Sequence, residues 1–305
     1  MSDFAALILQ QSINGIYLGC LYVMVALGLT LIYGVLNQIN FAHADFVTAG
    51  AFTAFFVTTR FATKMLGLSD VTGYLLSIVL ALGVGALLGL AINAAVFAPL
   101  RNRGDELRPL IATIGVSVLV ENGQLALFGP VPYQLDSPFS QQTIRLGKIF
   151  FTEQSVLVVA AAALAIGALY AFIRFTFLGK ALRAVAQDRE TAGLMGINQN
   201  FLIGLTVVIA SALAGMAGAL LGPVIVLTPF AGTSVIVKAF AIVIIGGFGN
   251  MEGTILAGIL VGVIEAFTVQ YLGSGVIDLV VFALLLLMLA VRPTGLIAER
   301  REENV

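Results

Sequence analysis

Residues 7–33 read LILQQSINGIYLGCLYVMVALGLTLIY, a stretch without a single Lys, Arg, Asp or Glu. A helix needs about 20 mostly apolar residues to cross roughly 30 Å of hydrocarbon, so this stretch is long enough alone. Similar runs follow at 41–61, 74–97, 107–128, 155–175, 201–226, 235–247, 254–272 and 276–291. The seventh and ninth runs are short, and polar residues interrupt the joint between the first two. Only helices and closed barrels satisfy backbone hydrogen bonds in lipid, and continuous apolar runs lack the alternation of barrel strands. The expected fold is an all-α polytopic membrane protein of about eight to ten transmembrane helices, some broken. Residues 1–305 are read as one transmembrane domain.

Composition agrees with that reading. Of the 305 residues, 60% are hydrophobic and 10% charged, and the mean hydropathy is +1.06. Soluble domains carry about 25% charged residues, so a soluble enzyme, a disordered chain and a nucleic-acid binder are all excluded. Cys20 lies in an apolar run and has no partner for a disulfide, which leaves it as a small packed hydrophobe. The first basic residue is Arg60, so the basic start of a cleavable signal is missing and the first hydrophobic segment is expected to stay. With no Trp, the interfacial belt falls to Tyr and Phe at the run ends, such as Tyr74, Phe128, Tyr133, Tyr170, Phe175 and Tyr271. Among 33 glycines, Gly15/Gly19, Gly85/Gly89, Gly218/Gly222 and Gly258/Gly262 fall as G-x-x-x-G, the spacing that lets helix backbones approach closely in lipid.

The basic residues set an orientation. Arg101, Arg103, Arg108, Arg174, Lys180, Arg183, Arg189, Arg292, Arg300 and Arg301 fall in one set of loops and the tail, against Arg60, Lys64, Arg145 and Lys148 in the alternate loops. Nine crossings then put the C-terminus in the cytoplasm and the N-terminus outside.

Two polar interruptions draw attention. Asn37-Gln38-Ile39-Asn40-Phe41-Ala42-His43-Ala44-Asp45 has no Lys or Arg although it joins two long apolar runs. Amides and a His/Asp pair at membrane depth need partners, and a broken or re-entrant segment lining a cavity supplies them. An ordinary loop at the headgroup level is the bland alternative. The second interruption is Gly246-Gly247-Phe248-Gly249-Asn250-Met251-Glu252-Gly253. Setting Gly34 on Gly247 places Asn37 opposite Asn250 and Ala44 opposite Ala257, as an internal duplication would. Corresponding Gly-interrupted segments in two halves point to a transport pathway, here Asn37, Asn40, His43, Asp45, Asn250 and Glu252.

Residues 177–198 are the one long amphipathic stretch that does not span. Leu182, Val185, Ala186 and Arg189 recur at helical spacing, and Gly196 is placed to end the helix. Such a helix lies either on the membrane surface or against a cytoplasmic partner, and its mixture of charges favours a protein.

With these motifs the sequence resembles the permease subunits of branched-chain amino acid ABC importers, the LivH type. The resemblance rests on Gly15-Ile16-x-Leu18-Gly19, Ala26 to Val35 (ALGLTLIYGV) and Ile39-Asn40-Phe41-Ala42-His43. It rests equally on Gly179 to Asp188 (GKALRAVAQD) with Ala192 to Ile197, on Gly246-Gly247-Phe248-Gly249, and on Arg292-Pro293-Thr294-Gly295-Leu296. It runs over almost the whole chain. It implies an inner-membrane importer of two permease subunits, usually a related heterodimer, with two cytoplasmic ATPases and a periplasmic substrate-binding protein. It also implies that 177–198 is the segment that docks on the ATPase, with Gly179, Lys180, Arg183, Ala184, Asp188 and Gly196 as its functional residues. No G-x-x-x-x-G-K-[ST] phosphate loop occurs in the chain, so ATP is used by partner subunits, and no cofactor or metal is expected here.

An ion-coupled secondary transporter is the alternative from another class. It needs ionisable groups inside the membrane, and His43, Asp45, Glu121, Lys238, Glu265 and Asp278 are candidates. The structural alternative pairs the two glutamates with Lys238 or places them at polar kinks. Urea, short amides and other small solutes compete with a zwitterionic aliphatic amino acid as the cargo. One His, one Cys and scattered carboxylates offer no catalytic set.

Overall fold

The computed structural model describes residues 3–100 and 107–297. Arg101, Arg103, Arg300, Arg301 and the side chain of Lys64, all used in the charge balance, lie outside them. The helices are α1 (Asp3–Leu36), α2 (His43–Phe56), α3 (Asp70–Ile92), the short α4 (Ala98–Leu100), α5 (Leu107–Phe128), α6 (Glu153–Phe175), α7 (Phe177–Gln187), α8 (Arg189–Leu194), α9 (Gln199–Leu221), α10 (Ala231–Gly246), α11 (Met251–Leu272) and α12 (Ile277–Val291). Wider π-helical turns at Val57–Met65 and Asn93–Phe97 extend α2 and α3. Strands β1 (Thr143–Leu146) and β2 (Ile149–Thr152) form a small hairpin.

Each of the nine apolar runs is helical, and the chain is an all-α polytopic membrane protein. Among the described residues, 7 helices are long and apolar enough to cross a bilayer. The other two runs are α10, with 16 residues, and α2, whose continuation carries Arg60 and Lys64.

α1 is the hub. Residues Cys20 to Leu27 are all buried, and the helix packs on α9, α10 and α11. The α1–α11 crossing explains two of the G-x-x-x-G pairs, because Gly15 and Gly19 face Gly258 and Gly262 within the same chain. A Cβ on Gly262 would fall 2.5 Å from the Gly15 carbonyl oxygen. Gly85 and Gly89 likewise meet Ser211 of α9, and Gly218 meets Val47 of α2. Gly262→Ala is therefore expected to cost about 1–3 kcal/mol by overpacking. Gly83→Ala, where a Cβ would meet nothing within 4 Å, is expected to be harmless. Thermal unfolding in detergent distinguishes them, and equal midpoints would refute the tight crossing. At the periphery, α5 and α12 expose Ile111, Val118, Leu119, Leu279, Leu286 and Leu287, as lipid-facing helices do.

The two breaks meet at one end of the bundle. Tyr33 and Phe248 meet at a tilt with ring centroids 4.4 Å apart, and Gly34 lies beside Gly249. The tail closes over them: Leu296 N–H donates to Ile245 O at 2.8 Å and Ile297 N–H to Gly246 O at 3.3 Å. These bonds satisfy carbonyls that the last turn of α10 leaves open. Gly247 (φ +104) and Gly295 (φ +82) hold positive φ and touch backbone to backbone, so the motif at 292–296 exists to cap α10. The hairpin sits at the opposite end, where Gln10 of α1 bonds both backbone groups of Phe150 at 2.6 and 2.8 Å.

Candidate functional site

Neither α2 nor α10 begins at a bundle end. His43, the first residue of α2, packs against Gly28 of α1, a glycine that also adjoins the Ala210 carbonyl of α9. Gly28 is eight residues before the end of α1, about 12 Å at 1.5 Å rise per residue. The linker 37–42 therefore folds back into the bundle. Asn37 makes the turn with φ +53, a conformation asparagine tolerates, and stays exposed. Asn40 is fully buried, and its Oδ1 accepts from Ala42 N–H at 3.1 Å. The connection 222–230 returns from the other side, tied by Leu227, which exchanges two 2.9 Å backbone bonds with Tyr133. It delivers α10 to the first turns of α2, where Gly232 N–H donates to Thr48 Oγ1 at 2.9 Å. Two helices thus start side by side inside the bundle, the arrangement of discontinuous helices in transporters.

α5, otherwise peripheral, turns a polar stripe toward the start of α2. Thr113, Ser117, Glu121 and Gln124 fall one helical turn apart on one face. Phe41 N–H donates to Thr113 Oγ1 at 3.4 Å. Gln124 Nε2 donates to the backbone O of Asp45 at 3.3 Å. Ser117 and Glu121 face the Asp45 carboxylate, and Thr233 of α10 donates to Glu121 Oε1 at 3.2 Å. Asp45 is 1% exposed, and its Oδ2 has no partner among the described residues. Gln124 Oε1 and Asn40 Nδ2 are likewise buried without one among the described residues, and the buried His43 ring meets the Val25 backbone.

The predicted pathway residues thus separate into three settings. Asn40, His43 and Asp45 come together within the bundle, with His43 turned to α1 and Asp45 to α5. Asn250 lies at the end break and caps α11, its Oδ1 accepting from Gly253 N–H at 2.8 Å. Glu252 is exposed in the first turn of α11, where a carboxylate favours the helix dipole.

Residues 177–198 form two helices, not one. Thr176 breaks the chain between α6 and α7, accepting from Gly179 N–H at 3.0 Å. Asp188 breaks it again with φ −149 and caps α8, where the Thr191 hydroxyl and then its N–H hold the Asp188 carboxyl below the usual carboxylate range. The helical phase resets there, so the buried stripe is Ala181, Leu182 and Val185 and excludes Ala186, which is exposed, and Arg189, which belongs to α8. Gly196 (φ +80) ends α8 as its position predicts, with Ile197 N–H on Ala192 O at 3.1 Å and Gly196 N–H on Gly193 O at 3.0 Å. Gly179 is pressed against the Phe172 and Ile173 carbonyls. Lys180, Arg183 and Asp188 are exposed, and Arg183 Nη1 donates to Ile173 O at 2.9 Å. Arg189 turns inward and donates to Val35 O, in the last turn of α1, at 2.5 Å.

Of the intramembrane charges, Glu265 accepts from Lys238 Nζ at 2.9 Å and from Tyr22 at 3.0 Å. Asp278 lies 4.0 Å from Lys238. Glu121 takes no part in this cluster. The α5 stripe, Thr233 and the Arg189–Val35 bond were not anticipated from the sequence. Four polar residues on one face of an otherwise apolar run were the available signal for the first; the other two depend on long-range folding.

The profile of the family described as branched-chain amino acid transport system, permease component, matches residues 11–290. The permease LivH of the high-affinity branched-chain amino acid transport system of Escherichia coli (strain K12) is 35% identical over 314 residues, covering 100% of both chains. Its counterpart BraD of Pseudomonas aeruginosa is 36% identical over 303 residues, 97% of this chain and 98% of that one. The fructose import permease FrcC of Rhizobium meliloti is more distant, at 29% over 203 residues, 62% of this chain and 54% of that one. No solved structure matches. On this similarity, which runs from end to end, the chain belongs to the permease family of branched-chain amino acid transport systems.

Proposed function

We propose that the chain is one permease subunit of an ABC importer in the bacterial inner membrane, moving branched-chain or other small neutral amino acids. Full-length similarity to permeases named for that transport carries the reading. Two cytoplasmic ATPases supply the energy, a periplasmic binding protein delivers the solute, and a second, related permease completes the path. The chain itself holds no cofactor.

Residues 177–198 form the coupling segment, whose functional residues are Gly179, Lys180, Arg183, Ala184, Asp188 and Gly196. Phe177, Leu194 and Met195 stand 83%, 88% and 78% exposed beside these charges, a mixed surface suited to a protein partner. Asn37, Asn40, His43, Asp45, Asn250 and Glu252 lie along the pathway. Thr233 and Glu121 open onto an apolar flank where lipid is a poor cover for polar groups, which suits the second permease.

Uptake by the reconstituted complex tests the substrate. Labelled leucine, isoleucine and valine are expected to accumulate, and urea and acetamide to remain outside; the opposite pattern would assign the chain to another solute. Labelling tests the pathway. Asn40→Cys and His43→Cys, each in a Cys20→Ala background, are expected to react with small water-soluble thiol reagents only as the complex cycles with ATP, since both native side chains are fully buried. Inertness at both positions in every nucleotide state would make the segment a sealed structural joint.

A further inference from the structure

We propose that Asp45, with Gln124 and Glu121, forms a binding site for a primary ammonium group on the transported solute. The inference rests on the permease reading above and names the part of the solute that this chain recognises. Its basis is an unusual balance of donors and acceptors. Asp45 Oδ2 and Gln124 Oε1 are acceptors in residues 1% and 6% exposed, and neither has a partner among the described residues, Ser117 being the one side chain that donates to the Asp45 carboxyl there. The two residues are joined, because Gln124 Nε2 holds the Asp45 backbone oxygen. Among the described residues, the one charged group acting on the Asp45 carboxylate is another carboxylate, Glu121. Lys238, the cation of α10, is committed to Glu265 and Tyr22.

Two carboxylates and an amide oxygen, two of the three groups buried, repel an anion and favour a donor that carries positive charge. An ammonium brings three donors from one compact atom, enough for one oxygen each from Asp45, Gln124 and Glu121. A divalent metal would need a fuller oxygen shell, and no group of three or more acidic, His or Cys ligands occurs among the described residues. The surroundings also give a direction of approach. Thr233 is exposed, Glu121 half-buried and Asp45 buried, so the negative potential deepens from the flank inward.

Thermal unfolding of the detergent-solubilised permease–ATPase complex, without binding protein, reads this site directly. L-leucine is expected to raise the midpoint, and 4-methyl-2-oxopentanoate, which lacks the ammonium, is not. The leucine effect should vanish in Asp45→Asn. Equal protection by both compounds, no protection by leucine, or full protection in the variant would overturn the proposal. Protection by Na⁺ or K⁺ in place of leucine would assign the site to an inorganic ion and overturn it too.

In proteoliposomes, Asp45→Asn is expected to lower leucine uptake about tenfold or more, the loss of one charged hydrogen bond. ATP hydrolysis stimulated by loaded binding protein should persist. Gln124→Met, which removes the free acceptor and nearly keeps the volume, should lower uptake in the same way and carries the test if Asp45→Asn does not assemble. Wild-type uptake in an assembled variant, or parallel loss of uptake and hydrolysis, would reduce Asp45 to a structural role. If the wild-type complex shows no ATP-dependent uptake at all, the permease reading fails first.

Discussion

Proline at Ala184 is expected to abolish uptake while leaving the protein inserted in the membrane. Ala184 lies in the interior of α7 (Phe177–Gln187), where proline removes a backbone donor and costs about 3 kcal/mol. α7 is short, with both ends fixed by caps at Thr176 and Asp188. It cannot absorb a kink without moving Val185 out of the core or displacing Asp188, whose N–H donates to Ala184 O at 3.0 Å. The spanning helices do not depend on it for insertion, so membrane-inserted protein should remain near wild-type level. Arg183→Glu should have a similar effect on uptake, because it reverses an exposed charge and removes the bond to Ile173 O. Unchanged uptake with the ATPase copurifying at wild-type levels would remove α7 from energy coupling.

Arg189→Ala is expected to uncouple transport from hydrolysis. The last carbonyls of a helix have no partner within it, and Arg189 supplies one to Val35, two residues before the turn at Asn37. Gln199 in turn holds the Arg189 carbonyl at 2.5 Å. These two bonds tie α8 and α9 to the end of α1, just before the joint that seats Asn40 and His43. Loss of a bond from a charged donor is worth about 1.5–3 kcal/mol, so uptake should fall about tenfold or more while ATP hydrolysis continues. Arg189→Lys should restore part of the uptake, since lysine keeps the charge but not the planar fork. Proportional loss of uptake and hydrolysis, or no change in either, would contradict a linking role.

The fold was legible because bilayer thickness imposes length, and each of the nine apolar runs is a helix. The polar break at 37–45 was legible for the complementary reason, that amides and a His/Asp pair do not belong at a lipid-facing joint. Its depth was not legible. That depends on Gly28 leaving room for the His43 ring, a contact between residues on different helices. Spacing carried Arg189 onto the stripe of α7, and Asp188 overrode it because an aspartate that caps the next helix outcompetes continuation of the first. The Lys238–Glu265 pair was open as a possibility from composition, but only packing could join α10 to α11 and leave Glu121 to Asp45 and Thr233. The aligned asparagines also diverge: Asn37 turns the chain with φ +53, whereas Asn250 caps a helix at φ −94.

Energy source is the most direct test of the permease assignment. Glu265 is bound to Lys238 and Tyr22, the setting of a structural carboxylate, and an ABC permease requires no intramembrane group to change protonation. Leucine uptake should be measured in proteoliposomes holding this chain, its partner permease, the ATPase and the binding protein. With ATP available to the ATPase and no proton gradient, leucine is expected to accumulate, and Glu265→Gln should retain substantial uptake. With a gradient and no ATP, no accumulation is expected. Accumulation driven by an imposed proton gradient in vesicles containing this chain without any ATPase would contradict the assignment.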